Sequence, residues 1–253
     1  MGGRNIVLLT ATIKPNLNQH KLIVNDSNER LLEYIKAMKF YNLMLNLNVI
    51  DNVVFVDNSG YDLSNLSSMF CNEKIEFLSF YDLDYPSDYH RGYGEFRLID
   101  YAYKNSSIIN GLVENDRVWK ITGRYIIRNI SRFIRFSPCN FDFYVNINDR
   151  KSKWVDMEIM CWNKKGYELL ICDMWHNFSS PLPPEMVIFN IIEKVDIKKL
   201  YIINKFYYPL LILGRRGGDG STFMGRFGLV RYVLQLVKKV SVLPFRYLKD
   251  REC

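Results

Sequence analysis

The stretch VWKITGRY, Val118 to Tyr125, opens on three large apolar residues of strand type (Val118, Trp119, Ile121) and breaks at Gly123 into a loop that carries Arg124. Three earlier runs have the same form. NIVLLTATI (Asn5 to Ile13), the apolar part of DNVVFVDNSGYD (Asp51 to Asp62) and KIEFLSF (Lys74 to Phe80) are apolar, rich in β-branched and aromatic residues, and followed by loop or turn residues. Between them lie helical patterns. In NDSNERLLEYIKAMKFYNLML, Asp26 is an N-cap with Glu29 three residues on, and Leu31, Tyr34, Ile35, Met38, Tyr41 and Leu45 share one face. A second helix is predicted in GEFRLIDYAYKNS, Gly94 to Ser106. Strands alternating with helices imply βαβ crossovers, so VWKIT is read as the fourth strand of a Rossmann-like, mainly parallel sheet flanked by helices.

The second half is more mixed. FDFYVNI, DMEIMCW and LYIINKF read as strands, and PPEMVIFNIIEKV as a helix with Pro183 and Pro184 ahead of Glu185 in its first turn. GRRGGDGST, Gly214 to Thr222, is a basic Gly-rich loop, and the residues after it form a basic amphipathic helix broken at Pro244. The expected division is a single α/β domain over residues 1–214, followed by the loop and tail over 215–253.

Composition narrows the function classes. The chain has 253 residues, 48% hydrophobic and 24% charged, which is that of an ordinary soluble domain. Its net charge of +7 is concentrated at the end: from Arg215 onward there are nine Lys/Arg against three acids. The nearly neutral body weighs against a nucleic-acid-coating protein. Five scattered Cys without a C-x-x-C pair and three distant His give neither a disulfide framework nor a zinc site and fit a reducing cytoplasm. The first residues lack signal-peptide order, and no segment reaches the roughly 20 apolar residues of a membrane span. G-x-S-x-G, Walker A and G-x-G-x-x-G patterns are absent.

In open sheets ligands bind beyond the carboxyl ends of the strands. That directs attention to TATIKPN, DNSGYD, YDLDYPSDYHRGYGE and TGRY. A carboxylate at a strand end, such as Asp57, can recognise a ribose or base edge; the same Asp57-Asn58-Ser59-Gly60 run is also simply a good turn. In RGYGE, Arg91, Gly92, Gly94 and Glu95 begin a helix, where close backbone approach and a helix N-terminus favour a phosphate or hydroxylic ligand.

In NIVLLTATI, VVFVDNSGYD and RGYGEFRLIDYAYKNS…VWKITGRY the chain resembles GT-A-type bacterial glycosyltransferases of capsule and O-antigen (lipopolysaccharide) synthesis. The subset it resembles lacks an Asp-x-Asp metal motif. The resemblance covers roughly the first half well and the second half loosely. It implies a nucleotide-sugar donor and an oligosaccharide or lipid-linked saccharide acceptor. Thr10 and Thr12 would line the nucleotide pocket, Asp57 would accept hydrogen bonds from base or ribose with Asn58 and Ser59 beside it, and Gly94, Glu95 and Arg97 would complete the donor site.

Where the metal motif would stand, the chain has Lys120, Thr122, Gly123 and Arg124. Negative charge builds on a leaving diphosphate and needs a positive partner. Fixed cations can supply it in place of a metal, so no divalent cofactor is expected; Arg124 would act with Arg97 or with Arg215 and Arg216, and Arg91 would contact diphosphate or acceptor. A structural ion pair is the plainer role for Arg124. Mg²⁺ or Mn²⁺ at Asp82 and Asp84 in YDLDY is the lower-ranked alternative. An inverting transfer also needs a carboxylate base, for which Asp156 in WVDMEIM and Glu185 in PPEMVIF are the candidates, although Glu185 is equally a favourable helix start. The tail is expected either at an anionic inner membrane surface, making the protein cytoplasmic and peripheral, or packed on the domain. A non-catalytic nucleotide- or saccharide-binding protein of the same fold is the second reading, and no nucleic-acid partner is expected.

Overall fold

The computed structural model describes residues 3–16, 24–149, 151, 153–179, 182–196, 198–216, 219–223 and 228–240. His20, Arg226, Pro244 and the tail beyond 240 lie outside the described residues. In chain order the elements are β1 (Asn5–Ala11), α1 (Ser27–Asn46), β2 (Asn52–Asp57), α2 (Ser64–Met69), β3 (Ile75–Ser79), α3 (Gly92–Asn105), α4 (Ser107–Asn110) and β4 (Arg117–Thr122). They continue with β5 (Ile126–Ile127), α5 (Ile130–Arg135), β6 (Phe143–Asp149), β7 (Trp154–Trp162), α6 (Lys164–Gly166), α7 (Pro184–Ile192), β8 (Ile202–Ile203), β9 (Ile212–Leu213) and α8 (Gly228–Val240).

The seven-stranded sheet runs β3-β2-β1-β4-β7-β6-β8. The first four strands are parallel, β7 is antiparallel to both β4 and β6, and β8 is parallel to β6. The chain is therefore mixed α/β with a mainly parallel central sheet flanked by helices. Strands β1, β2 and β4 are buried on both faces, which is why they read as continuous apolar runs. In β1, Val7, Leu9 and Ala11 join the core on the α1 side, while Ile6 and Leu8 join the core that α3 and α7 cover. α1 begins at Asp26, whose carboxylate accepts from the Glu29 N–H, and buries Tyr34, Met38, Tyr41 and Leu45.

Two features differ from the sequence-based expectation. LYIINKF contributes only Ile202–Ile203 to the sheet, because the following residues peel away: Phe206 N–H donates to the Asn146 side chain and Tyr207 N–H to the Tyr144 hydroxyl. A separate two-stranded sheet pairs β5 with β9. Its strands are too short to show periodicity, yet they bring residues after 213 back to the end of β4. Among the described residues, no helix is long and apolar enough to cross a membrane.

Candidate functional site

The exits of β1, β2 and β4 are bonded together at the carboxyl edge of the sheet. Gly123 N–H donates to the Thr10 carbonyl at 2.9 Å, and Asn58 N–H to the Ala11 carbonyl at 3.1 Å. Gly123 has to be small, since a Cβ there would stand 2.8 Å from the Thr10 oxygen. Thr12, Asp57, Asn58 and Ser59 converge at this edge, but they are spent on one another. The Thr12 hydroxyl donates to Asn58 Oδ1 at 2.6 Å, and Lys14 N–H to Ser59 Oγ at 3.0 Å.

Asp57 ends β2. It is fully buried, and its carboxylate accepts from Ile13 N–H (2.7 Å), Ser59 N–H (2.9 Å), the Ser59 hydroxyl (2.7 Å) and Tyr61 N–H (3.2 Å). Burial pushes its pKa above the usual carboxylate value despite these donors. Asp57 is thus a clasp between the loops after β1 and β2, with its oxygens engaged by Ile13, Ser59 and Tyr61.

Lys120 lies on β4. By strand alternation it shares the Val118 face of β4 and is wholly buried under α3. Its ammonium pairs with Glu95 and donates to the Met157 carbonyl at 2.8 Å. A buried lysine needs such partners, and with them it ties α3 to β7. Glu95 also accepts from the Thr10 hydroxyl at 3.3 Å. The glycines ahead of it serve packing: a Cβ on Gly92 would meet Pro184 at 2.7 Å and Phe178 at 2.8 Å, and one on Gly94 would meet the Tyr85 hydroxyl at 2.9 Å. Neither opens a cradle for phosphate.

Arg124 and Arg215 do meet. Arg124 Nη1 lies 2.7 Å from Glu33 Oε2, and Arg215 contacts Glu33 Oε1 through Nε at 2.8 Å and Nη2 at 2.7 Å. Arg215 also reaches Glu29 at 2.7 Å. The pairing of β5 with β9 makes this meeting of distant residues feasible. Gly214, at φ +146°, completes it, because a Cβ there would stand 2.6 Å from the Tyr125 ring. Burial disfavours the charge on Arg124, but Tyr34, Glu33 and Tyr125 outweigh it and hold the guanidinium charged. Two arginines on one carboxylate form an anion-binding pair whose present anion is a side chain.

Strand β7 and helix α7 carry carboxylates whose charges act on one another. Sequence reasoning missed Glu158. The β6–β7 register jumps from Tyr144–Cys161 to Asn146–Asp156, so β7 advances five residues where β6 advances two. The displaced segment holds Met157, whose carbonyl Lys120 satisfies, and Glu158. Burial first, then the neighbouring Asp156, raises the Glu158 pKa to about 7, and Glu185 adds to the effect while Arg216 opposes it. Asp156 accepts from Asn146 Nδ2 at 2.6 Å. Glu185 is buried and takes Arg91 at 2.8 Å on one oxygen; its other oxygen makes no hydrogen bond among the described residues. The Tyr125 hydroxyl is shifted up to about 12, mainly by burial, and feels Arg124, Glu158, Arg91 and Glu95.

The remaining candidates separate from this group. Arg97 pairs with Asp82 at 2.8 Å and lies over the rings of Tyr93 and Trp175 at 5.4 Å from each, so it does not join Arg124. Asp84 accepts from the Tyr81 hydroxyl at 2.8 Å. Asp82 and Asp84 thus have different partners, and among the described residues no group of three or more His, Cys, Asp or Glu is arranged to hold a metal ion. Thr122 ends β4 half-buried, and Arg216 lies over the Phe223 ring at 4.9 Å.

No family model matches the chain, and no curated protein matches it. Solved structures do. One from Desulfovibrio desulfuricans, described as a nucleotide-diphospho-sugar transferase, is 12% identical with a TM-score of 0.46, covering 97% of this chain and 98% of that one. The inositol-1-phosphate CTP transferase of T. maritima is 13% identical with a TM-score of 0.47, covering 95% and 97%. The CTP:phosphocholine cytidylyltransferase of Streptococcus pneumoniae is 12% identical with a TM-score of 0.38, covering 84% and 92%. At these identities and scores the likenesses assign no residue role to this chain.

Proposed function

We propose that this protein is a glycosyltransferase that moves a sugar from a nucleotide-sugar donor to a saccharide of a bacterial surface polysaccharide, using fixed cations in place of a metal. The observation that carries the reading is the arrangement at the strand exits: the Arg124/Arg215 pair and the proton-binding Glu158.

The reaction would be an in-line displacement. The acceptor oxygen bonds the anomeric carbon as the bond from that carbon to the diphosphate breaks, and the acceptor proton passes to Glu158. Arg124 and Arg215 take the developing diphosphate charge, exchanging Glu33 for phosphate oxygens. A base needs a proton affinity near the working pH, and Glu158 has it while Asp156 sits beside it as the neighbouring charge that sustains it. Glu185 instead orients Arg91. The acceptor, a growing or lipid-linked oligosaccharide on the cytoplasmic side, is what the sequence resemblance implies.

The test is release of nucleoside diphosphate or monophosphate from a panel of UDP-, GDP-, CDP- and CMP-sugars, with saccharide acceptors, in EDTA. Turnover of one donor that Glu158→Gln abolishes while leaving donor binding intact supports the reading. Donor binding without turnover under every condition would make the protein a non-catalytic nucleotide-sugar binder.

A further inference from the structure

Helix α8 turns the wrong face outward for a helix packed on a soluble domain. Its contacts with the body come from Leu236, which packs against the α1-side core, and from the Tyr232 hydroxyl, which accepts from Asn129 Nδ2 at 3.3 Å. The face left in solvent is apolar: Leu229, Val230, Val233, Leu234 and Val237 are 60%, 56%, 47%, 65% and 66% exposed. Their spacing of three and four residues makes one continuous stripe along the helix. The sequence of the helix also carries the basic residues Arg231, Lys238 and Lys239. From Gly228 to the end of the sequence there are six Lys/Arg against two acids.

We infer that α8 is a docking surface for an anionic lipid bilayer, lying in the plane of the interface with its stripe among the acyl chains. Charge decides the occupant. A second copy of this chain would bring like charges face to face, whereas a bilayer with anionic headgroups offers apolar depth and opposite charge together. The helix is too short and too charged to span, so it binds along the surface. The inference stands on the surface of α8 alone and does not depend on the transferase reading.

The experiment is co-sedimentation of the full chain with phosphatidylcholine vesicles, with and without phosphatidylglycerol, at low and high salt, for the native protein and for Val233→Asp/Leu234→Asp. Both substituted residues are exposed, so circular dichroism and nucleotide binding should match the native protein. The native chain is expected to pellet with anionic vesicles only, less at high salt, and the double variant to bind them at least about tenfold more weakly. Equal pelleting of the variant, equal binding to neutral vesicles, or no pelleting of the native chain would each overturn the inference. So would light scattering that showed a native dimer dissociating in the variant, which would make the stripe a self-interface.

Discussion

At the ends of β1 and β2 the polar side chains Thr12, Asp57, Asn58 and Ser59 bond one another and the loop backbone. On β7 and after β9, by contrast, Glu158, Arg215 and Arg216 carry charges whose partners are other charges. Both regions border the same edge of the sheet. In the first, the Asp57 carboxylate and the Thr12 and Ser59 hydroxyls are all bonded within the protein. The second holds two guanidinium groups on one carboxylate and a glutamate with a raised proton affinity, the groups to which the proposed function gives the donor's diphosphate and the acceptor's proton. A residue's position at a strand exit therefore does not decide its role; what it already bonds does.

If the first region is structural, its substitutions should cost stability. Lys120→Met would leave Glu95 and the Met157 carbonyl without their cation, and denaturant unfolding should show a loss of roughly 3–5 kcal/mol. Asp57→Ala would strand the buried N–H groups of Ile13 and Ser59, for an expected loss of about 2–4 kcal/mol in the same assay. A stable Asp57→Ala protein that had lost only nucleotide binding would break the comparison.

If the second region is functional, its substitutions should act on binding and pH dependence. Arg215→Ala removes one member of the anion pair, and nucleoside diphosphate affinity should fall by about tenfold to a hundredfold in titration, with little change in melting temperature. Glu158 sets a pH window. Its pKa is raised from 4.5 to about 7 in the folded protein, so the stability tied to its protonated form is complete below 4.5 and is lost as pH rises through about 7. Glu158→Gln should flatten the melting temperature across that window, and in the native enzyme transfer should rise with pH through the same value as the base ionises. The smallest effect is expected for Asp84→Ala: Asp84 accepts from the hydroxyl of the exposed Tyr81, and stability should change by less than about 0.5 kcal/mol with nucleotide affinity intact.

Much of this was legible in the sequence, for definite reasons. β1, β2 and β4 are buried on both faces, so their apolar runs stand out, and the Asp26 cap and apolar face of α1 follow from local chemistry. Alternation alone puts Lys120 on the Val118 face, but no local signal shows that Glu95 of α3 and a carbonyl of β7 would enclose it. Glu158 was hidden because DMEIMCW reads as a plain alternating strand; the irregularity that places Glu158 is fixed by tertiary contacts. Arg215 reaches Arg124 only through two-residue strands that carry no periodic signal. The acidic partners of both arginines sit on α1, a helix whose pattern announces its core face and says nothing of Glu29 and Glu33.

Calorimetric titration with UDP, GDP, CDP and CMP, in EDTA and then with Mg²⁺ or Mn²⁺, on the native protein and on Arg124→Ala, addresses the anion pair itself. Binding of one nucleotide in EDTA, unchanged by metal and lost in Arg124→Ala, is the expected result. Binding that requires metal and survives Arg124→Ala would contradict it, and no binding of any nucleotide would remove the basis for a nucleotide-sugar site.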